Sequence, residues 1–285
     1  MDIRTVGVVG AGLMGSGIVE TAARCGYNVI MREVNEQLLD RGKQRMATSM
    51  QRAIDRGKMT EEDRNVAEAR ISATTQLSGL SGADLIIEAI TENLDAKKAL
   101  FAELDRIAKP DAIIVSNTSS VSITALAAAT DRPSQVAGLH FFNPVPVMKL
   151  VEIVRALQSS DETIDTLRRL SDTLNKTVVV AKDTPGFIVN RLIVPQLLDA
   201  VRLVEDGVAS PEDIDTAMTL GMSHPMGPLT LLDFVGLDTT LFIADVMWEE
   251  FKEEKFAAPP LLRKMVTAGY YGRKSGRGFY EYNKK

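Results

Sequence analysis

A β-branched run, Thr5-Val-Gly-Val-Val9, ends in Gly10-Ala-Gly12-Leu-Met-Gly15 and passes straight into a helical pattern. A bare Gly-x-Gly-x-x-Gly is a weak signal. Set between a strand and a helix, it becomes specific, because it demands a tight turn that aims helix N-terminal amides at an anion. Gly10 permits the turn, Gly12 lets backbone amides approach a pyrophosphate, and Gly15 lets helix and strand pack closely. The expected outcome is a βαβ unit that holds a dinucleotide.

The first half of the chain repeats this alternation. Short apolar runs at residues 5–9, 28–31, 84–89, 113–116, 135–139, 149–153 and 177–180 read as strands, and patterns at 15–24, 35–56, 95–108 and 161–175 read as helices. Such alternation specifies a Rossmann-type, doubly wound, mostly parallel α/β sheet. The helix at 35–56 is long for its place after a second strand, and Thr60 can cap a further helix. A projecting helical hairpin is therefore expected near residues 35–70. After Val180 the character changes: Asp183-Thr-Pro-Gly-Phe187 is a turn signal, and helical patterns follow at 187–206, 211–220, 228–234, 237–250 and 260–267. Ser210-Pro-Glu-Asp213 reads as an N-cap with proline at the first helical position. The expected organisation is an α/β domain over residues 1–183 and an all-α domain over residues 184–285.

Composition removes several function classes. A net charge of −5 argues against a dedicated nucleic-acid binder. The one cysteine, Cys25, excludes an intrachain disulfide and a cysteine-cluster zinc site, and fits a reducing cytoplasm. Its setting on an apolar-faced helix reads as a small buried side chain. No apolar run has the length of a membrane span, and the N-terminus carries no signal-peptide pattern. No metal-ligand cluster is visible.

Chemistry concentrates at a few positions. A carboxylate near the end of the second strand is expected to bind the adenosine ribose, and Glu33 stands there. It favours NAD over NADP, although the adjacent Arg32 leaves a 2′-phosphate open. The chain has two histidines, His140 and His224. His140 lies twelve positions before Glu152, so a carboxylate is available to orient its ring. A core histidine with a satisfied hydrogen bond is the competing reading. Ser116-Asn-Thr-Ser-Ser120 follows a strand, at the sheet edge where open α/β proteins bind ligands. Glu92 and Lys97 occupy the same rim, where either is also compatible with a plain surface charge. Arg52 and Arg56 are four apart and share a helix face, which reads as a solvated face or a phosphate grip.

Taken in order, the glycine turn, Ser116-Asn-Thr-Ser-Ser120, His140-Phe-Phe-Asn-Pro-Val-Pro-Val-Met-Lys-Leu-Val-Glu152, Pro185-Gly-Phe-Ile-Val-Asn-Arg191, His224-Pro-Met-Gly-Pro228 and Gly272-Arg-Lys-Ser-Gly-Arg-Gly-Phe-Tyr280 cover essentially the whole chain. The set resembles the L-3-hydroxyacyl-CoA dehydrogenases, most closely the bacterial-type 3-hydroxybutyryl-CoA dehydrogenases. The resemblance implies a catalytic dyad of His140 and Glu152, with Ser119 and Asn190 binding the region of the substrate's C3 oxygen. It implies NAD held by Gly10, Gly12, Leu13, Met14, Gly15, Glu33, Glu92, Lys97, Ser119 and Asn143. Arg52 and Arg56 stand where similar proteins use lysines against CoA phosphates, and Glu33 stands where an aspartate is usual. His224 is read as structural.

The implied protein is a cytoplasmic homodimer, joined through its helical domain, that takes an acyl-CoA in a cleft between its domains. The implied reaction belongs to fatty acid or butanoate metabolism. Rival readings are a dehydrogenase of a free hydroxy acid or sugar acid, like the lambda-crystallin relatives, and a non-catalytic dinucleotide-binding protein.

Overall fold

The computed structural model describes residues 2–282, in two compact units that divide between Thr184 and Pro185. The first unit runs β1 (Thr5–Val9), α1 (Leu13–Arg24), β2 (Asn28–Arg32), α2 (Glu36–Asp55), α3 (Glu61–Glu68), β3 (Ile71–Thr74), β4 (Leu85–Glu88), α4 (Leu94–Ile107), β5 (Ile113–Ser116), α5 (Ile123–Ala127), β6 (Val136–Phe141), β7 (Leu150–Arg155), α6 (Asp161–Thr173) and β8 (Thr177–Lys182). Its strands form one sheet in the order β3-β2-β1-β4-β5-β6-β7-β8. Each neighbouring pair is parallel except β6 with β7. This is the doubly wound, mostly parallel arrangement that the alternation specified.

The central strands are apolar on both faces because helices cover both. Leu85, Ile86 and Ile87 of β4 and Ile113, Ile114 and Val115 of β5 are all buried. The reversal between β6 and β7 follows from chain length. Residues 142–149 are too few for the crossover of about a dozen or more residues that a parallel neighbour needs.

Two sequence expectations change. The edge strand β3 was not anticipated: Ile71-Ser-Ala-Thr74 is short and only partly buried, so it carries little alternation. Cys25 is half-buried at the C-cap of α1 instead of fully buried, with burial pushing its thiol above the usual range. Helices α2 and α3 join the core through Met46, Met50 and Ala67, and the turn between them adds Met59. A capping box between Thr60 and Asp63 starts α3 where Thr60 suggested a cap. The loop at residues 142–149 is held from behind by Lys176, whose buried ammonium donates to the Val145 carbonyl at 2.5 Å and the Met148 carbonyl at 2.7 Å.

The second unit comprises α7 (Val189–Glu205), α8 (Pro211–Gly221), α9 (Pro228–Val235), α10 (Leu237–Phe251) and α11 (Pro260–Thr267) around its own apolar core. Two buried aspartates organise it. Asp215 of α8 accepts from the amides of Leu229 and Thr230 at 2.8 and 2.9 Å and so caps α9 from outside. Gly227, the α9 N-cap, makes room for it: a Cβ there would lie 2.3 Å from the Asp215 side chain. Asp233 accepts from the amides of Phe279 and Tyr280 at 2.9 and 3.0 Å and from the Tyr282 hydroxyl at 3.0 Å. Gly272 and Gly278 let the closing segment pass against Asp233, since a Cβ on either would collide with it at 2.2 and 2.0 Å. The Tyr280 hydroxyl also donates to Asp215 at 2.9 Å, so His224-Pro-Met-Gly-Pro228 and Gly272-Arg-Lys-Ser-Gly-Arg-Gly-Phe-Tyr280 are packing motifs of one latch. Among the described residues, no helix is long and apolar enough to cross a membrane.

Replacing Asp233 by alanine strands two amides and a tyrosine hydroxyl. The expected loss is about 3 kcal/mol or more of stability, read from urea denaturation, because each buried group left unpaired costs about 1–3 kcal/mol.

Candidate active site

The C-terminal ends of β1, β4, β5 and β6 lie side by side, with Val9 paired to Glu88, Glu88 to Ser116 and Ser116 to Gly138. Ligands of open α/β sheets bind at this edge, near the point where strand order reverses. Here β1 separates β2 and β4, which makes it the reversal point.

The glycine turn has three distinct reasons for its three glycines. Gly10 has φ +99°, and a Cβ on it would meet the Ala89 carbonyl oxygen at 2.6 Å. A Cβ on Gly15 would fall 1.7 Å from the Gly10 oxygen, so that glycine permits the close packing of helix on turn. Gly12 differs: nothing lies within 4 Å of its Cβ position. It is also the N-cap of α1 and supplies no side-chain cap. Its open side leaves room for a pyrophosphate against the first amides of α1. Gly42 of α2 was not anticipated. It lets α2 close on the turn, since a Cβ there would sit 2.5 Å from that of Ala11.

Glu33 follows β2 and turns back to the glycine loop. Its carboxylate accepts from the Ala11 amide at 2.8 Å and the Val34 amide at 2.9 Å. Arg32 is half-buried with its Nε unpartnered, and Arg45 of α2 donates to the Ala11 carbonyl at 3.3 Å. Glu33 and the Arg45 guanidinium thus meet at the backbone of Ala11 in the glycine turn. Leu13 is exposed and Met14 half-buried at the start of α1.

His140 and Glu152 face each other across the antiparallel pair β6–β7. His140 Nδ1 lies 2.7 Å from Glu152 Oε2, and the two residues are 7% and 0% exposed. The spacing of twelve is the register of this pair. A carboxylate at Nδ1 fixes the orientation of the ring. The Phe142 ring lies 4.6 Å from the imidazole, and Asn117 Oδ1 accepts from the Phe141 amide at 3.0 Å, fixing the end of β6 against the neighbouring loop. Asn143, next in the chain, is exposed.

Ser119 is half-buried in the loop after β5, and its amide donates to Glu92 at 3.2 Å. Glu92 also accepts from Thr118 Oγ1 at 2.7 Å and lies 3.5 Å from the Lys97 ammonium. Lys97 is no surface charge: it is 1% exposed, with its ammonium 2.6 Å from Glu88. Glu88, which sequence reading passed over, ends the run Leu-Ile-Ile-Glu of β4 as a fully buried carboxylate. Arg52 and Arg56 are exposed on the last turn and C-cap of α2. Asn190 is half-buried in the first turn of α7, in the second unit.

Family models for the NAD-binding domain and the C-terminal domain of 3-hydroxyacyl-CoA dehydrogenases match residues 5–184 and 186–282. The chain belongs to the 3-hydroxyacyl-CoA dehydrogenase family. It is 52% identical over 282 residues to the 3-hydroxybutyryl-CoA dehydrogenase of Mycobacterium tuberculosis, covering 98% of this chain and 99% of that protein. It is 48% identical over 285 residues to the probable 3-hydroxybutyryl-CoA dehydrogenase of Bacillus subtilis, covering 100% and 99%. The crystal structure of (S)-3-hydroxybutyryl-CoA dehydrogenase from Ralstonia eutropha superposes with a TM-score of 0.95 at 47% identity, over 99% of this chain and 100% of that one. The family's nicotinamide cofactor fits the glycine turn found here, because the side of Gly12 is open while the other two glycines are filled by protein.

The turn yields a paired test. Gly12→Val should leave the melting temperature nearly unchanged and abolish NADH binding followed by fluorescence. Gly15→Ala should cost about 1–3 kcal/mol or more, the range for overpacking a filled site.

Proposed function

We propose that this dehydrogenase interconverts (S)-3-hydroxybutyryl-CoA and acetoacetyl-CoA with NAD. The observation that carries this reading is the buried His140–Glu152 pair on the sheet edge that also bears the glycine turn. A proton acceptor oriented by a carboxylate, beside a dinucleotide turn, is the equipment for oxidising a secondary alcohol or reducing a ketone.

NAD, when bound, accepts the hydride from C3 of the hydroxyacyl group or, reduced, returns it. His140 takes the hydroxyl proton in the oxidising direction and, as imidazolium, gives it to the keto oxygen in the reducing direction. Glu152 holds the ring and balances its charge. Ser119 and Asn190 are assigned to the substrate oxygen, and both have side chains able to donate to it. Gly10, Gly12, Leu13, Met14 and Gly15 are assigned to the pyrophosphate end, Glu33 to the adenosine ribose, and Glu92, Lys97 and Asn143 to the nicotinamide half. Arg52 and Arg56 are assigned to the CoA phosphates, for which planar guanidinium forks are well matched.

The helical unit is read as the substrate and dimerisation domain. Leu192, Leu220 and Met222 are exposed on it, apolar side chains that a homodimer could cover. A cytoplasmic enzyme of short-chain acyl-CoA metabolism fits the single half-buried thiol.

The decisive assay follows NADH consumption with acetoacetyl-CoA and with free acetoacetate. Turnover is expected with the thioester alone, and faster with NADH than with NADPH. Arg52→Ala/Arg56→Ala should raise the KM for acetoacetyl-CoA about tenfold or more at nearly constant kcat, since losing uniform binding acts on KM. Turnover of acetoacetate but not of the thioester would sink the CoA reading and favour a hydroxy-acid dehydrogenase.

A further inference from the structure

A buried charge pair lies between the glycine turn and the Ser119 loop: Lys97 is assigned to the nicotinamide half, and its partner Glu88 has no assigned role. Glu88 is 0% exposed and Lys97 1%. Glu88 Oε1 accepts from the Lys97 ammonium at 2.6 Å and from the Ile90 amide at 2.7 Å, while Oε2 accepts from Ser116 Oγ at 2.5 Å. Ser116 Oγ in turn accepts from the Thr118 amide at 3.1 Å. Lys97 also reaches the Ile90 carbonyl at 3.4 Å. The network therefore clamps both loops that leave β4 and β5. On one side it fixes residues 89–92, whose Ala89 carbonyl packs against Gly10. On the other it fixes the loop that carries Ser119.

Stability alone does not call for such a pair. A strand covered on both faces, as β4 is, is ordinarily completed by an apolar residue, and well-packed hydrophobic groups commonly match or exceed a buried ion pair in stability. What apolar residues cannot supply is direction. A carboxylate with three donors around it fixes the angle of two loops, and a misplacement of about 1 Å at a reacting centre costs about 100-fold in rate.

We propose that Glu88 is a positioning residue: it sets the two loops that present the nicotinamide half of NAD and the substrate oxygen to each other. It touches neither reactant and acts through the Ile90 amide, Ser116 and Lys97. The inference rests on the reading of the protein as an NAD-dependent dehydrogenase.

The test compares Lys97→Met with Glu88→Met/Lys97→Met. In the single variant Glu88 keeps Ile90 and Ser116 but becomes an unpaired buried charge. The double variant removes that charge and should melt higher. If the pair serves only stability, activity follows the melting temperature and the double variant is the better enzyme. If Glu88 positions the loops, the double variant is the more stable protein and the poorer enzyme. The expected result is a kcat about tenfold or more below that of Lys97→Met, with a KM for acetoacetyl-CoA within about threefold and a weaker NADH affinity. Equal or higher kcat and equal NADH affinity in the double variant would overturn the proposal. Should Lys97→Met fail to fold, Ser116→Ala carries the test at a temperature where it is fully folded: a reduced kcat supports positioning, and an unchanged kcat overturns it. NADH affinity, measured by fluorescence without acyl-CoA, keeps the two readings apart. A wild-type protein that binds NADH but ignores acetoacetyl-CoA ends the substrate reading, and Glu88 is then judged on the NADH affinities alone.

Discussion

The pairing of β6 with β7 is the constraint on which the site depends. A parallel neighbour would have needed a long crossover, and Glu152 would then have come from elsewhere in the sheet. The short return at residues 142–149 reverses the chain and sets Glu152 opposite His140. One register pair thus delivers a carboxylate to an imidazole nitrogen at 2.7 Å in a buried setting. A slip of one residue would turn Glu152 to the other face of the sheet. Lys176 secures the return from behind through two loop carbonyls, and Asn117 secures the end of β6 through the Phe141 amide.

Around that pair the sheet gathers groups that are far apart in sequence. Parallel strands end at one edge, so the glycine turn, residues 88–92, residues 116–119 and His140 become neighbours by topology. Buried polar groups at such an edge are costly unless they are satisfied. Here the Glu88 carboxylate has three donors, and Glu92 links Thr118 and Ser119 to the vicinity of Lys97. The second unit solves a similar problem differently. Asp215 and Asp233 are buried carboxylates satisfied largely by backbone amides, and they hold the closing segment to the helices.

How much was legible in the sequence depends on how local each cause is. The glycine turn, the alternation of strands and helices, and the Thr60 cap are local, and all were readable. The His140–Glu152 pairing was readable because the twelve-residue spacing contains its own short return. The edge strand β3 was not, because a half-exposed Ile-Ser-Ala-Thr has no distinctive period. Glu88 carried no signal, and Lys97 was compatible with a plain surface charge as well as a cofactor role, since their partnership forms only when β4, β5 and α4 meet. Gly42 carried no signal either, as its need for a missing Cβ arises from the approach of α2 to Ala11. The terminal motifs were recognisable as patterns, but their physical reason, room beside two buried aspartates, appears only in the fold.

In the proposed reaction Glu152 makes His140 an effective proton carrier. The single-turnover rate of NADH oxidation by acetoacetyl-CoA in Glu152→Gln against wild type tests this role, with melting temperature and NADH affinity measured alongside. Glutamine keeps the size but removes the charge that balances the imidazolium. The expected result is a fall in rate of about 10⁴, the loss seen when an orienting acid is neutralised in a serine protease, with fold and NADH affinity close to wild type. A variant that keeps its rate within about tenfold would contradict it, since an orienting carboxylate of this kind is worth far more than that.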